Sequence, residues 1–194
     1  MKTPTPRSRS ARGFTLIEIL VAVAILGTVM VVLSSIMMSS NRSHTKTVRQ
    51  AEIQTDVRQA LDLMAAELRQ AGADSTSVGI VPVVYGDSVL VHVRADLNGS
   101  GTITTAEPSE DITYSYVPGT KSIMRNPGTG AAVMLPNVTA MRFRYYDATN
   151  QLLTPVPLSA TNLGLVHSVG LTVTAADIDS LPVTLTTRIT LRNQ

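Results

Sequence analysis

The chain has 194 residues, of which 44% are hydrophobic and 15% are charged, whereas folded domains usually carry about 25% charged residues. It contains no cysteine, which excludes a disulfide framework and thiolate metal sites. Of its charged side chains, residues 1–13 carry four basic and no acidic ones, and the rest of the chain carries 12 basic and 14 acidic ones. The basic isoelectric point therefore reflects a short N-terminal segment, and a nucleic-acid partner is not expected.

A long apolar segment follows this basic N-terminus. Residues 14–33 form a run of 20 residues with one charged side chain. A helix of 20 residues is about 30 Å long, which equals the hydrocarbon thickness of a bilayer. We therefore predict a transmembrane helix over residues 14–34. Basic residues precede it and none directly follows, so the N-terminus is expected in the cytoplasm and the remainder outside the inner membrane.

The charged residue in this segment is Glu18. A carboxylate at the centre of a bilayer costs roughly 2.5–3.5 kcal/mol, and less near the end of a helix. Cleavage between Gly13 and Phe14 would place a new α-amine four residues before Glu18, on the same helical face. The two charges could then neutralise each other within one chain or between neighbours. A generic secretory signal is the alternative, but it explains neither Glu18 nor the length of the segment, and no A-x-A cleavage site is present.

These residues resemble a known family. Residues 12–18 read RGFTLIE and are followed by ILVAVAILG, which is similar to the prepilin leader and N-terminal helix of type IV pilins and type II secretion pseudopilins. The resemblance implies cleavage after Gly13 by prepilin peptidase, N-methylation of Phe14, and pairing of Glu18 with the terminal amine of an adjacent subunit. Major pilins often have a helix-breaking proline near the end of this span. Residues 28–40 contain none, which favours a minor component.

The helix is predicted to continue to about residue 71. Apolar residues recur at helical spacing and form a stripe on one face, whose members are Ile53, Val57, Leu61, Met64 and Leu68. Arg69 lies in the last predicted turn and Gly72 follows it, which is a typical helix end. The stripe is expected to pack against a globular head.

Residues 72–194 change to a pattern of short strands separated by turns. The predicted strands are 80–84, 89–94, 112–116, 122–125, 133–135, 140–146, 166–174 and 183–192. Alternating apolar and polar positions joined by tight turns indicate an antiparallel sheet with one face against the helix. The predicted fold class is therefore α+β, with a long N-terminal helix packed on an antiparallel β-sheet head.

Residues 96–107 match the pattern of a twelve-residue calcium loop. The side chains at alternate positions would supply oxygen ligands, together with one backbone carbonyl. The predicted ligands are Asp96, Asn98, Ser100, the carbonyl of Thr102, Thr104 directly or through water, and a bidentate Glu107. Two carboxylates indicate a structural Ca²⁺ with a dissociation constant of about 10⁻⁴–10⁻³ M. The alternative is a polar hairpin loop, since Asn-Gly and Ser-Gly are common turns.

The sequence shows no constellation that would support catalysis. His44, His92 and His167 are far apart and lack metal-ligand spacing, and the glycines near residue 128 lack the context of a phosphate-binding loop. The adjacent acids Glu110 and Asp111 indicate a solvated pair or neighbours of the calcium loop. We therefore expect no enzymatic activity.

Together these patterns favour a minor type IV pilin-like subunit that initiates or assembles a pilus or a pilus-like fibre. The finer resemblance is to PilW-type minor pilins and GspJ-type minor pseudopilins. The expected partners are other pilin or pseudopilin subunits, prepilin peptidase/methyltransferase and the inner membrane. Two alternatives remain open: a minor pseudopilin of a type II secretion or DNA-uptake system, and a membrane-anchored extracytoplasmic binding protein.

The predicted organisation has four parts. Residues 1–13 form the leader peptide, residues 14–34 the transmembrane or filament-core helix, and residues 35–71 its amphipathic continuation. Residues 72–194 form the head, with the calcium loop at 96–107. The protein is expected in the inner membrane with its head outside the cytoplasm, and then in a pilus or periplasmic pseudopilus.

Overall fold

The structure is a computed structural model that describes residues 13–105, 107, 109–177 and 181–192. Most of the predicted leader, residues 1–12, therefore lies outside the described residues. Helix α1 spans Leu16–Gln70, which confirms the predicted long N-terminal helix. The chain divides into two compact units, Met1–Thr45 and Lys46–Gln194, and α1 begins in the first unit and ends in the second.

The described part of the first unit is fully exposed. Its helical segment is long and apolar enough to cross a membrane, and none of its most apolar stretch is buried. Two hydroxyls on this segment bond to the helix backbone: Thr28 Oγ1 donates to the Ile25 carbonyl at 2.8 Å, and Ser35 Oγ to the Val32 carbonyl at 2.7 Å. Since these polar groups are satisfied within the helix, they are compatible with apolar surroundings.

Among the described residues of the second unit, eight strands and one short helix follow α1. They are β1 (Val83–Gly86), β2 (Leu90–Arg94), β3 (Asp111–Val117), β4 (Ser122–Asn126), β5 (Ala132–Leu135), β6 (Val138–Tyr146), α2 (Ala160–Leu163), β7 (Ser168–Ala175) and β8 (Val183–Thr190). Each predicted strand overlaps an observed one, whereas α2 was not predicted.

The strands form two antiparallel sheets. One has five strands in the order β1-β2-β3-β4-β5, and the other has three in the order β6-β7-β8. Every neighbouring pair is antiparallel, as the turn-linked pattern predicted. The predicted α+β class is confirmed, and the division of the strands into two sheets is an addition to it.

One hydrophobic core contains residues of the second half of α1 and of both sheets. The helix contributes the predicted stripe, with Val57, Met64 and Leu68 completely buried. In β3, Ile112 and Tyr114 face the core, and Thr113 between them is half-buried. Alternation along the strands and the helical period on α1 thus direct the apolar side chains to the same interior.

Tyr145 connects the two sheets. Its hydroxyl donates to the carbonyl of Asp87 at 2.8 Å and to that of Leu90 at 3.2 Å. Burial raises the pKa of Tyr145 above its usual value, so the phenol stays protonated as a donor. Gly86 lies under the ring, and a Cβ at this position would stand 2.9 Å from a Tyr145 ring atom. Glycine is therefore required where β1 meets β6.

The turn after β6 gives a prediction about acid stability. Asp147 Oδ1 accepts hydrogen bonds from the N–H groups of Gln151 and Thr149 and from the Thr149 hydroxyl at 2.8–2.9 Å. The bond from Gln151, followed by the Thr149 hydroxyl, lowers the pKa of Asp147 below its usual 3.8. A carboxyl with a lowered folded-state pKa stabilises the protein above its unfolded pKa, and this contribution is lost as pH falls through the folded pKa.

We therefore expect Asp147→Asn to flatten the decline in stability below about pH 4. The asparagine oxygen still accepts these hydrogen bonds, so the variant separates charge from turn geometry. Urea unfolding of the detergent-solubilised protein between about pH 2 and pH 7 measures the effect. Parallel acid profiles for wild type and variant would refute the role of this charge.

Candidate functional site

The predicted cleavage position is open in the folded chain. Gly13 and Phe14 are exposed and precede the first residue of α1. A Cβ added at Gly13 would meet no atom within 4 Å. A peptidase could therefore reach this peptide bond without unfolding α1.

Glu18 lies in the first turn of α1 and contacts the residue before the helix. The Thr15 N–H and hydroxyl donate to Glu18 Oε2 at 3.4 and 3.5 Å. Thr15 and Glu18 thus have the spacing of a capping box, in which a carboxylate satisfies a free N–H at the helix start. The positive end of the helix dipole also favours an acid here. Within a single chain, the hydrogen bonds from Thr15 and the helix dipole therefore already stabilise the Glu18 side chain in part.

The first half of the predicted calcium loop folds around Asp96. Although the loop is exposed, Asp96 itself is only 3% exposed. Its Oδ1 accepts from the N–H groups of Gly99 at 2.7 Å and Ser100 at 3.0 Å, and its Oδ2 accepts from that of Gly101 at 2.9 Å. Gly99 and Gly101 have φ of 74° and 72°, values that glycine adopts without strain. The two glycines therefore allow the backbone to wrap around the carboxylate.

The neutral oxygens that were predicted as ligands are close to one another. Asn98 Oδ1 accepts from the Ser100 N–H at 2.8 Å. Ser100 Oγ donates to the Thr102 carbonyl at 3.0 Å and lies 3.1 Å from Thr102 Oγ1. The structure thus brings four of the six predicted ligand residues into one tight loop.

The second half of the predicted loop is arranged differently. The Glu107 N–H donates to the Thr104 carbonyl at 3.4 Å, and both residues are exposed. Among the described residues, no hydrogen bond joins the Glu107 side chain to the ligands of the first half. The structure therefore does not place the predicted ligands Thr104 and Glu107 beside the four ligand residues in the first half of the loop.

Glu110 is the acidic side chain that the structure does place against the loop. It is 1% exposed, and its Oε1 accepts from the N–H groups of Leu97 at 3.2 Å and Asn98 at 3.3 Å. Its Oε2 is buried without a hydrogen-bond partner among the described residues. The sequence predicted Glu110 to be either solvated or a neighbour of the loop, and its burial excludes the solvated alternative. Glu110 directly precedes β3 and lies two residues before Ile112 and four before Tyr114, both of which are buried. Since side chains at a spacing of two point to the same face of a strand, this spacing was the signal in the sequence that Glu110 faces inward.

A third carboxylate, Asp74, lies beside the loop. Residues 74 and 96 form an isolated parallel bridge, and the Thr76 hydroxyl is 3.4 Å from both Asp74 Oδ1 and Asp96 Oδ2. Partial burial acts to raise the pKa of Asp74, but hydrogen bonds led by those from the Ile80 and Gly79 N–H groups outweigh it, and the net pKa is lowered. Asp74 is therefore ionised at neutral pH.

No basic residue in the described part of the chain forms an ion pair with the acidic side chains of the loop. Among the described residues, the ion pairs join Asp111 to His92 and Arg94, and Glu67 to Arg125. In the same part of the chain, no group of three or more His, Cys, Asp or Glu side chains is placed to hold a metal ion. A cation at the loop would therefore be held by the carboxylates of Asp96 and Glu110 together with neutral oxygens.

Comparison with known proteins identifies the N-terminal segment. A family model described as the prokaryotic N-terminal methylation motif matches residues 8–34. The match indicates a subunit of the type IV pilin or pseudopilin kind. No curated protein matches the chain.

The pilin-like assignment agrees with the exposed apolar part of α1, which is consistent with membrane anchoring. The motif supports N-terminal methylation as a property of proteins of this kind. Cleavage between Gly13 and Phe14, methylation at Phe14 and the assembly role of Glu18 remain predictions about individual residues of this pilin-like chain.

Proposed function

We propose that this chain is a minor type IV pilin-like subunit that initiates or assembles a pilus or a pilus-like fibre. The observation that carries the proposal is the methylation motif over residues 8–34, which overlaps the exposed apolar part of α1. An apolar surface of this extent requires lipid or other apolar helices around it. The role is structural, and the chain acts through its surfaces rather than by catalysis.

In this mechanism, prepilin peptidase/methyltransferase cleaves after Gly13 and methylates Phe14. The helix then leaves the lipid and packs among the helices of other subunits, where the small residues Ala22, Ala24 and Gly27 permit close approach. Glu18 pairs with the α-amine of a neighbouring subunit. Ion pairing supplies the neutralisation that a carboxylate needs in apolar surroundings.

A minor rather than a bulk subunit is favoured because residues 28–40 contain no proline. The finer resemblance to PilW-type minor pilins and GspJ-type pseudopilins supports the same role. The N-terminus is cytoplasmic before cleavage and the head lies outside the inner membrane, as the basic leader indicates. A minor pseudopilin is the second candidate, because it would carry the same N-terminal motif.

Mass spectrometry of the purified protein tests the processing step. We expect a mature N-terminus that begins with N-methylated Phe14. Gly13→Val should reduce processing on the order of 100-fold, because a branched side chain displaces the scissile bond in the peptidase, whereas the open surroundings of Gly13 predict no effect on folding. An uncleaved chain, or cleavage near residue 40, would eliminate the pilin-type mechanism and favour an anchored or secreted binding protein.

Cell fractionation of a deletion strain separates the two fibre systems. Loss of surface pili, with unchanged secreted proteins and DNA uptake, is the result expected for a minor pilin. Loss of protein secretion or DNA uptake with normal pili would assign the subunit to a pseudopilus. Complementation by the wild-type chain is the control for effects on neighbouring genes.

A further inference from the structure

Glu110 presents a buried charge that the fold leaves half satisfied. Its Oε1 accepts two N–H groups, and its Oε2 has no partner among the described residues although the residue is 1% exposed. Buried polar atoms are nearly always hydrogen-bonded, and buried charges are paired or bound to a metal. The free oxygen therefore calls for a ligand that the described part of the chain does not supply.

The Glu110 carboxylate faces the loop that carries Asp96. Five successive backbone N–H groups, of residues 97–101, donate to one or the other of these two carboxylates. The loop is therefore organised around two negative charges, and Asp74 adds a third beside it. None of the three has a basic partner among the described residues. The missing ligand should accordingly be a cation.

We propose that Ca²⁺ binds between this loop and Glu110, and that Glu110 rather than Glu107 supplies the second carboxylate. The remaining oxygens come from Asn98, Ser100 and the Thr102 carbonyl, which already lie close together. Calcium takes six to eight oxygen ligands in flexible geometry, with water completing the set, whereas Mg²⁺ demands a regular octahedron. A loop with mixed charged and neutral oxygens therefore fits calcium. This inference does not rest on the proposed fibre role.

A matched pair of substitutions distinguishes the two glutamates. Glu110→Gln removes the charge but keeps the oxygen that accepts the Leu97 and Asn98 N–H groups. Glu107→Gln makes the same chemical change fewer than five residues away on an exposed side chain. The full-length protein in detergent micelles is treated with EDTA, dialysed and melted with and without about 10 mM CaCl₂, a concentration well above that needed for an extracellular-type site.

Calcium should raise the melting temperature of wild type and Glu107→Gln by about 3–8 °C. Glu110→Gln should lose this shift, and its affinity for CaCl₂ in calorimetry should fall by at least about tenfold. In EDTA, by contrast, Glu110→Gln should have a higher melting temperature than wild type, because a neutral amide is easier to bury than an unpaired carboxylate. A purely structural role for Glu110 does not predict this crossover.

Three results would overturn the proposal. The first is no calcium shift in wild type, the second is a shift that survives in Glu110→Gln but disappears in Glu107→Gln, and the third is an equal shift with MgCl₂. Circular dichroism in EDTA checks that Glu110→Gln is folded. Should it be unfolded, Asp96→Asn takes its place against Glu107→Gln, with the same expected loss of the calcium shift and the same refuting outcomes.

Discussion

Glu18→Gln is expected to leave processing after Gly13 intact and to reduce recovery of the subunit in sheared fibres by about tenfold or more, because removing one partner of a desolvated ion pair costs several kcal/mol. The glutamine oxygen can still accept the hydrogen bonds from Thr15 that close the helix start. The substitution therefore removes the charge and keeps the cap. Immunoblots of sheared fibres and of membranes measure the distribution.

The matched control is Glu52→Gln, which neutralises an exposed acid on the same helix. It should enter fibres as wild type does. Thr15→Ala supplies the converse test, since it removes the hydroxyl contact and leaves the charge of Glu18. Fibre entry by Glu18→Gln at the wild-type level would contradict the pairing mechanism, and a defect confined to Thr15→Ala would assign Glu18 to helix capping.

Arg125→Met is expected to destabilise the head by about 3 kcal/mol, which corresponds to a loss of about 6–12 °C in melting temperature. Arg125 holds Glu67 of α1 through two bonds, from Nε at 3.0 Å and from Nη2 at 2.5 Å. Tyr114 and Ser109 donate to the same carboxylate. The Glu67 side chain is only 10% exposed, so removing the guanidinium would leave a nearly buried carboxylate without its counter-ion.

The hydrogen bond with Glu67 raises the pKa of Arg125, and burial together with Glu67 raises that of Tyr114. Both shifts reflect how closely Arg125 and Tyr114 contact the Glu67 side chain. Combining Glu67→Gln with Arg125→Met should restore about 1–2 kcal/mol, because no buried charge then remains. Thermal melts of the detergent-solubilised full-length protein measure each variant.

Arg142→Met is the control for this cluster, since Arg142 is exposed on β6 and its loss should change stability by less than about 0.5 kcal/mol. Equal melting temperatures for Arg125→Met and Arg142→Met would show that the ion pair does not hold α1 in place. A double variant less stable than Arg125→Met alone would reject the explanation by unpaired charge.

Periodicity predicted most of the secondary structure. The helical spacing from Ile53 to Leu68 indicated the buried face of α1, and the alternation around Ile112 and Tyr114 indicated β3. These patterns predict secondary structure because apolar residues are buried and polar residues are exposed, so that the spacing of apolar residues follows the period of the helix or strand. The division into two sheets depends on which strands pair, and that depends on long-range packing that no local pattern records.

The charged clusters were harder to predict for a related reason. Glu67 lies next to the apolar stripe residue Leu68 in sequence, yet it contacts Arg125 at a separation of 58 residues. Glu110 was predicted to be solvated or a neighbour of the loop, and it is a buried neighbour. In both cases the buried acid accepts hydrogen bonds from donors that are not adjacent in sequence, and the position of those donors follows only from the folded chain. The N-terminal motif was predictable because its elements are adjacent in sequence.

The backbone of the loop after β2 is protected against pairing with another chain. Residues 97–100 reach solvent, yet every N–H group from 97 to 101 is directed inward to Glu110 or Asp96. Backbone segments nucleate aggregation when they offer free donors and acceptors to another chain. With its donors occupied, this exposed stretch is a poor template for strand addition by another chain.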